Sequence, residues 1–187
     1  MVKLQKTLKS LFPDIKEESL SLFIEESTYI KCKKGTELIS EGKRHSYFYL
    51  IIEGSVKAYY RRDAKEICTW FAFEDEFIAT ISTFEGLSSK ETIEVLEDSE
   101  LIRFKTEKVS ELAKTNLAIS QIVNSLIIEH AVYLEERLYQ LQFMTSQERY
   151  KALLKALPEI VQRVSLTDIA SFIGVSRETL SRIRAKK

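Results

Sequence analysis

The sequence predicts a mixed α+β chain: a double-stranded jelly roll of short strands, then one long helix, then a C-terminal helix–turn–helix. Three observations carry this. Between residues 29 and 104, β-branched and aromatic runs alternate with turn residues, and four of the five glycines (Gly35, Gly42, Gly54, Gly86) fall in the connections. Residues 108–144 contain neither Gly nor Pro and repeat apolar side chains at helical spacing. Residues 166–185 place apolar, small and turn residues at the slots that two crossing helices require.

The N-terminal stretch reads as helical over residues 3–27. Leu4, Leu8 and Leu11 share one face, Phe12-Pro13-Asp14 breaks the run, and Leu20, Phe23 and Ile24 mark a second segment over 19–27. Strands are then expected at 29–32, 36–39, 47–52, 55–60, 67–73, 77–78, 92–96 and 101–104. Glu53-Gly54 joins two of them at once, which reads as a hairpin. Seven or eight short strands favour a sandwich or jelly roll, because only a closed double layer buries so many half-apolar strands.

A helix is predicted over 108–144 with a break around Asn116. Val123, Ile127, Ala131, Leu134, Leu138 and Leu141 recur every three or four residues, beside an adjoining line of Ile119, Leu126, His130, Tyr133 and Arg137. About 25 helical residues span ~38 Å, more than a small domain needs. One side is therefore expected on the jelly roll, the other in a seam with a second copy. The expected seam residues are Val123, Leu126, Ile127, His130, Leu134, Leu138 and Leu141.

Thr145-Ser146-Gln147-Glu148 reads as a helix start, and a helix over 146–157 ends at Pro158. Charge changes sign here: residues 1–142 carry a net −5 and residues 143–187 a net +5, although the whole chain balances 28 Lys+Arg against 28 Asp+Glu. The expected organisation is a jelly roll with N-terminal helices (1–107), a dimerisation helix region (108–144) and a basic unit suited to DNA (145–187). In the last, Ile169, Ile173, Val175, Leu180 and Ile183 fill the apolar slots, Ala170 the close crossing and Gly174 the turn. Ser165 with Asp168 fits a capping box, and Ser176 an N-cap. The second helix then exposes Arg177, Glu178, Ser181, Arg182 and Arg184. Arg pairs with guanine and Glu accepts from cytosine, whereas Ser176, Thr179 and Lys186 suit phosphate.

The stretch Gly174-Val175-Ser176-Arg177-Glu178-Thr179-Leu180-Ser181-Arg182-Ile183 resembles the recognition helix of the CRP/FNR family of bacterial transcription regulators. Lys34-Gly35-Thr36, Glu41-Gly42 and the run from Tyr47 to Val56 are similar to the start of that family's cyclic-nucleotide-binding β-roll. The resemblance implies a homodimer on pseudo-palindromic double-stranded DNA, working with RNA polymerase. It implies base reading by Arg177, Glu178 and Arg182, and phosphate positioning by Ser176 and Thr179.

The sequence departs from that family in two places. Nucleotide-binding members carry Phe-Gly-Glu and then Arg-Ser/Thr-Ala. Here the stretches are Phe77-Ile78-Ala79-Thr80 and Lys90-Glu91-Thr92. Ala79 replaces the glycine, Thr80 the ribose-binding carboxylate, and Glu91 sets a negative charge where the phosphate would lie. Two like charges in a half-buried pocket cost several kcal/mol at an effective dielectric of about 20. Tight cAMP or cGMP binding is therefore not expected, and the pocket of Ala79, Thr80, Lys90, Glu91 and Thr92 reads as degenerate. The second departure is the end of the sequence: only Arg184-Ala185-Lys186-Lys187 follows Ile183, so a short basic tail is expected in place of a β-wing.

Other function classes fit poorly. Two cysteines fall short of a four-cysteine iron–sulfur site. His45 and His130 supply no metal centre of the cupin kind. No nucleophile–base arrangement is apparent, so no enzyme, cofactor or metal is expected. Cys32, between Lys31 and Lys33, is a weak redox candidate with a lowered thiol pKa. No apolar run of membrane length and no signal-peptide core is expected, which points to the cytoplasm. The competing reading is a small-molecule sensor or interaction module whose DNA-binding unit no longer works.

Overall fold

A computed structural model describes residues 2–63 and 65–185. Helices α1 (Val2–Leu11) and α2 (Glu17–Glu25) precede strands β1 (Ser27–Cys32), β2 (Glu37–Ile39), β3 (Tyr47–Glu53), β4 (Val56–Arg62), β5 (Lys65–Ala72) and β6 (Phe77–Ile78). A short helix α3 (Ile81–Phe84) leads to β7 (Thr92–Val95) and β8 (Ser99–Lys105). Helices α4 (Thr106–Thr115), α5 (Leu117–Phe143), α6 (Ser146–Ala156), α7 (Ile160–Arg163), α8 (Leu166–Ile173) and α9 (Arg177–Ala185) complete the chain. The predicted strands are all present within a few residues. Helix α2 begins two residues before its expected start. The single-turn helices α3 and α7 are too short to show a period in the sequence.

Two antiparallel four-stranded sheets, ordered β1-β8-β3-β6 and β2-β7-β4-β5, face one another. Their shared core holds Ile39, Tyr49, Ile51, Val56, Ala58, Ile93 and Leu101. The first sheet is covered on its other face as well. Phe48, Leu50, Ile52, Ile102 and Phe104 point outward there and meet Leu4, Leu8, Leu20, Phe23, Val109, Ile119, Ile122 and Leu126 from the helices. Burial on both faces explains why β3 reads as an uninterrupted apolar run rather than an alternation. Phe104 anchors the layer, with ring centroids 4.6 Å from Phe23 and 5.1 Å from Phe48.

The second sheet carries the C-terminal helices on its outer face. Register slips between the pairs Ala58↔Trp70 and Tyr59↔Cys68, leaving Thr69 as an extra residue on β5. Such a bulge reverses the side-chain alternation. Trp70 and Ala72 face the inter-sheet core, whereas Cys68 and Phe71 join Leu153, Ile160, Ile169, Phe172 and Leu180.

Asn116 sets the boundary between α4 and α5. Its side-chain oxygen accepts from the amides of Ala118 and Ile119, and its amide donates to Ser19 at 3.0 Å. One expectation needs correcting. By length and composition α5 is apolar enough to cross a membrane. Its apolar residues divide between an inward and an outward line, with Glu135, Glu136 and Arg137 among them.

The hairpin expected at Glu53-Gly54 does not form: β3 pairs with β6 and β8 and β4 with β5 and β7, so Gly54, at φ +109°, turns the chain from the first sheet into the second, and a Cβ there would lie 1.9 Å from Ser99 Oγ. Gly42 has φ +78° with open space around it. We predict that Gly54→Ala costs about 2–4 kcal/mol and Gly42→Ala only about 1 kcal/mol in urea unfolding. Equal losses would show that backbone strain alone, without the contact to Ser99, sets the cost.

Candidate nucleic-acid interface and effector pocket

The helix–turn–helix is fixed by local hydrogen bonds. Gly174 closes α8 at φ 76°, its amide reaching Ala170 and Ser171 carbonyls, while the Val175 amide bonds to Ala170. Ser165 Oγ accepts from the Asp168 amide at 3.0 Å, and Ser176 Oγ from the Thr179 amide at 3.2 Å. The capping box expected at Ser165 and Asp168 is only half formed, because Asp168 turns to Lys57 on β4. A complete box occurs at the start of α6, at Thr145 and Glu148.

Of the expected DNA-contacting residues, Arg177, Glu178, Ser181, Arg182 and Arg184 are all exposed on α9, with Ser176 exposed at its start. Thr179 is half-buried and accepts from Arg182 Nη2 at 3.1 Å. Lys186 lies outside the described residues. Glu178 is held below the ordinary carboxylate range by its own backbone amide and by Ser176, with Arg177 and Arg182 adding to the effect.

Paired charges tie this unit to the second sheet. Lys57 Nζ lies 2.8 Å from Glu66 and 3.1 Å from Asp168. Burial alone would lower the Lys57 pKa, but these two carboxylates outweigh it and hold the amine protonated. Arg163 makes a bidentate pair with Glu74 at 2.7 and 2.8 Å and reaches Glu97 at 2.5 Å. The guanidinium, helped by the Gly54 amide, holds Glu74 down at about 2 against the opposing effect of burial. Ser171 Oγ accepts from the Cys68 amide and donates to the Glu66 carbonyl. From α5, buried Arg137 lies over the Phe172 ring and donates to its carbonyl.

Helix α5 separates its two lines. Ile127, Leu134, Leu138 and Leu141 are exposed, together with Ile128, Val132, Tyr139 and Phe143. Val123 is half-buried against the first-sheet core. Leu126 and His130, expected in the seam, lie instead on the inward line. Leu126 is buried in that core, and His130 lines a cavity where burial lowers its pKa. Leu126 falls one or two turns from Ile119, Ile122 and Tyr133, whereas His130 stands between Tyr133 and Leu134 on the helix surface and is turned inward by the position of the β-roll.

The degenerate-pocket residues separate too. Ala79 and Thr80 line a cavity of about 470 Å³ between β5, β6, α3 and α5. Thr80 caps α3, its hydroxyl accepting from the Thr83 amide at 3.1 Å. Lys90 is exposed. Thr92 accepts from the Glu41 amide. Glu91 is buried and accepts from the Trp70 indole at 3.2 Å, and desolvation pushes its carboxyl up to about 7. Sequence reasoning misses the pairing with Trp70, because nothing in the residues signals that a bulge at Thr69 turns the indole inward.

The remaining candidates have structural roles. His45 Nε2 accepts from the Ser40 amide at 2.9 Å. The Cys32 thiol is raised by burial, not lowered by its flanking lysines, which removes the basis for a reactive thiolate. Cys68 is buried and its thiol is raised further.

Residues 29–116 match the family model of the cyclic nucleotide-binding domain. Three solved structures resemble the whole arrangement. FixK2 from Bradyrhizobium japonicum has a TM-score of 0.73 at 20% identity, covering 86% of this chain and 83% of FixK2. The c-di-GMP-responsive global regulator CLP of Xanthomonas campestris has a TM-score of 0.72 at 20% identity, covering 91% of each chain. A protein from Eubacterium rectale assigned to the crp/fnr transcriptional regulators has a TM-score of 0.73 at 19% identity, covering 92% of this chain and 83% of its own. The chain has a CRP/FNR-like fold. No curated protein is similar enough in sequence to match.

Within this CRP/FNR-like fold the burial of Glu91 against Trp70 has a measurable consequence. Folding raises the Glu91 pKa from 4.5 to about 7, so the folded state binds the extra proton. Stability tied to Glu91 is full below pH 4.5 and is lost as pH rises through 7. We predict that Glu91→Gln leaves stability unchanged at pH 4 and gains up to about 3 kcal/mol at pH 8. The chain has one tryptophan, so its fluorescence is expected to titrate near pH 7 in the native protein and to stay flat in the variant.

Proposed function

We propose that this chain is a sequence-specific DNA-binding transcription regulator, a homodimer on a pseudo-palindromic site, with an effector other than cAMP. The observation that carries the reading is the free face of α9. Arg177, Glu178, Ser181, Arg182 and Arg184 are exposed while the rest of the helix–turn–helix is capped and packed. Arg177, Glu178 and Arg182 suit base edges, and Ser176, Thr179 and Lys186 suit phosphates.

The exposed line of α5 supports self-association. Ile127, Leu134, Leu138 and Leu141 stand out from it, Leu138 being 57% exposed, and Ile128, Val132, Tyr139 and Phe143 form a second exposed line about 120° round the helix. A second α5 burying this line would give a coiled-coil-like seam of Ile127, Leu134, Leu138 and Leu141 flanked by Val123. Such a seam fixes the separation of two recognition helices, which must approach ~34 Å to enter successive major grooves. Residues 1–107 would then serve as the effector unit, 108–144 as the dimer helix and 145–187 as the DNA-binding unit. Cytoplasmic location and contact with RNA polymerase follow from the same reading.

The pocket argues against a cyclic nucleotide. By the sequence resemblance Glu91 falls at the phosphate-binding position, and its carboxyl group accepts from the Trp70 indole. A bound cyclic phosphate would have to displace the indole and meet a buried carboxyl group.

Selection of bound sequences from random duplex DNA by the unliganded protein tests the proposal. An enriched inverted repeat is expected, lost in Arg182→Ala. Leu138→Glu is expected to give monomers in sedimentation and to weaken binding more than about 100-fold, since two half-sites no longer act together. No enrichment with or without cell extract would favour the sensor with a silent DNA-binding unit.

A further inference from the structure

The cavity between the β-roll and α5 has a chemical character of its own. Its walls include six aromatic side chains: Phe12, Trp70, Phe71, Phe77, Phe84 and Tyr133. Asp75, Glu76, Glu85 and Glu129 also line it and are exposed residues, although burial of the Glu76 carboxyl group raises its pKa. None of these four carboxylates forms an ion pair among the described residues, and the lining includes no Lys or Arg. His130, the one other titratable nitrogen in the wall, is driven toward its neutral form by burial. An aromatic interior beneath an acidic rim attracts positive charge twice, through ring faces and through carboxylates.

We propose that this cavity binds a hydrophobic organic cation, such as a quaternary ammonium or phosphonium compound. About 470 Å³ accommodates some twenty to twenty-five non-hydrogen atoms, in the usual range for small-molecule sites. The inference rests on the reading of the β-roll as an effector unit and names the class of its ligand. Anions, cyclic nucleotides included, meet four carboxylates and no cation there.

The walls also connect the cavity to the DNA-binding unit. Phe71 lines it and packs against Phe172 of α8, with ring centroids 5.4 Å apart. Tyr133 lines it and donates to the carbonyl of the bulged Thr69 at 2.6 Å. One turn along α5, Arg137 holds the Phe172 carbonyl. A ligand that moves Phe71 or Tyr133 therefore acts on the seat of α8.

Tetraphenylphosphonium and tetraphenylborate have nearly the same shape and opposite charge, which makes them suitable probes. Calorimetric titration of the full chain is expected to give the phosphonium at least about tenfold tighter binding than the borate. Glu76→Gln with Glu129→Gln is expected to reduce that preference several-fold. Ala79→Trp fills the space without changing charge and is expected to abolish binding, with circular dichroism checking the fold of both variants. Equal affinity for the two probes, tighter borate binding, no phosphonium binding, or unchanged binding in a folded variant would each overturn the proposal. Selection of an inverted repeat by a protein that ignores the phosphonium would leave the regulator reading standing and remove only this one.

Discussion

The seat of α8 on the second sheet depends on two cations, each held between two acids. Lys57 lies between Glu66 and Asp168, and Arg163 between Glu74 and Glu97. Lys57 is the more buried, and truncating it leaves the largely buried Asp168 carboxylate unpaired while Glu66 stays open to solvent. These pairs contribute register more than net stability. They admit one placement of α7 and α8 on β4 and β5, where an apolar contact alone would allow sliding. The apolar contribution comes from Phe71, Phe172, Ile169 and Leu153. With α8 seated and capped at both ends, the orientation of α9 follows from the αL turn at Gly174.

Helix α5 supplies the second constraint. Its inward line is used along its whole length: Ile119, Ile122 and Leu126 close the first-sheet core, Tyr133 reaches the β5 bulge and Arg137 reaches α8. One helix thus touches the β-roll, the cavity and the helix–turn–helix unit. Its outward line is left without a partner in the single chain, where exposed leucines cost solubility. In the proposed dimer, pairing of two copies would remove that cost and would convert any shift of α5 into a change of spacing between the two α9 helices. An effector acts on that spacing only to the extent that it binds the two arrangements with different affinity.

Much of this is legible in the residues, and the failures have physical causes. The strands are readable because glycine-bearing turns punctuate them, and the helix–turn–helix because its slots demand particular side-chain sizes. The α5 seam is half readable. Periodicity marks two adjoining lines but does not say that Leu126 and His130 belong to the inner one, which depends on where the β-roll lies. The Thr69 bulge leaves no mark in the sequence, and with it goes the orientation of Trp70, its bond to Glu91 and the outward turn of Cys68. Asp168 is legible as a capping residue, yet its partner Lys57 stands 111 residues away in the chain. The acidic mouth of the cavity is equally hidden: Glu74-Asp75-Glu76 reads as a solvated turn, and only the fold brings Glu85 and Glu129 to the same opening.

In the proposed function, DNA recognition turns on paired α5 helices that would hold two recognition helices at the spacing of one DNA turn. The direct measurement is a spin-label distance between the α9 helices, with Ser181→Cys labelled in a Cys32→Ser background. Strong dipolar coupling is expected in the free protein, narrowing to a single distance compatible with ~34 Å between helix centres on an inverted-repeat duplex. Absence of coupling at concentrations where the chain is folded would mean that α5 does not pair, and that two half-sites are not read by one dimer.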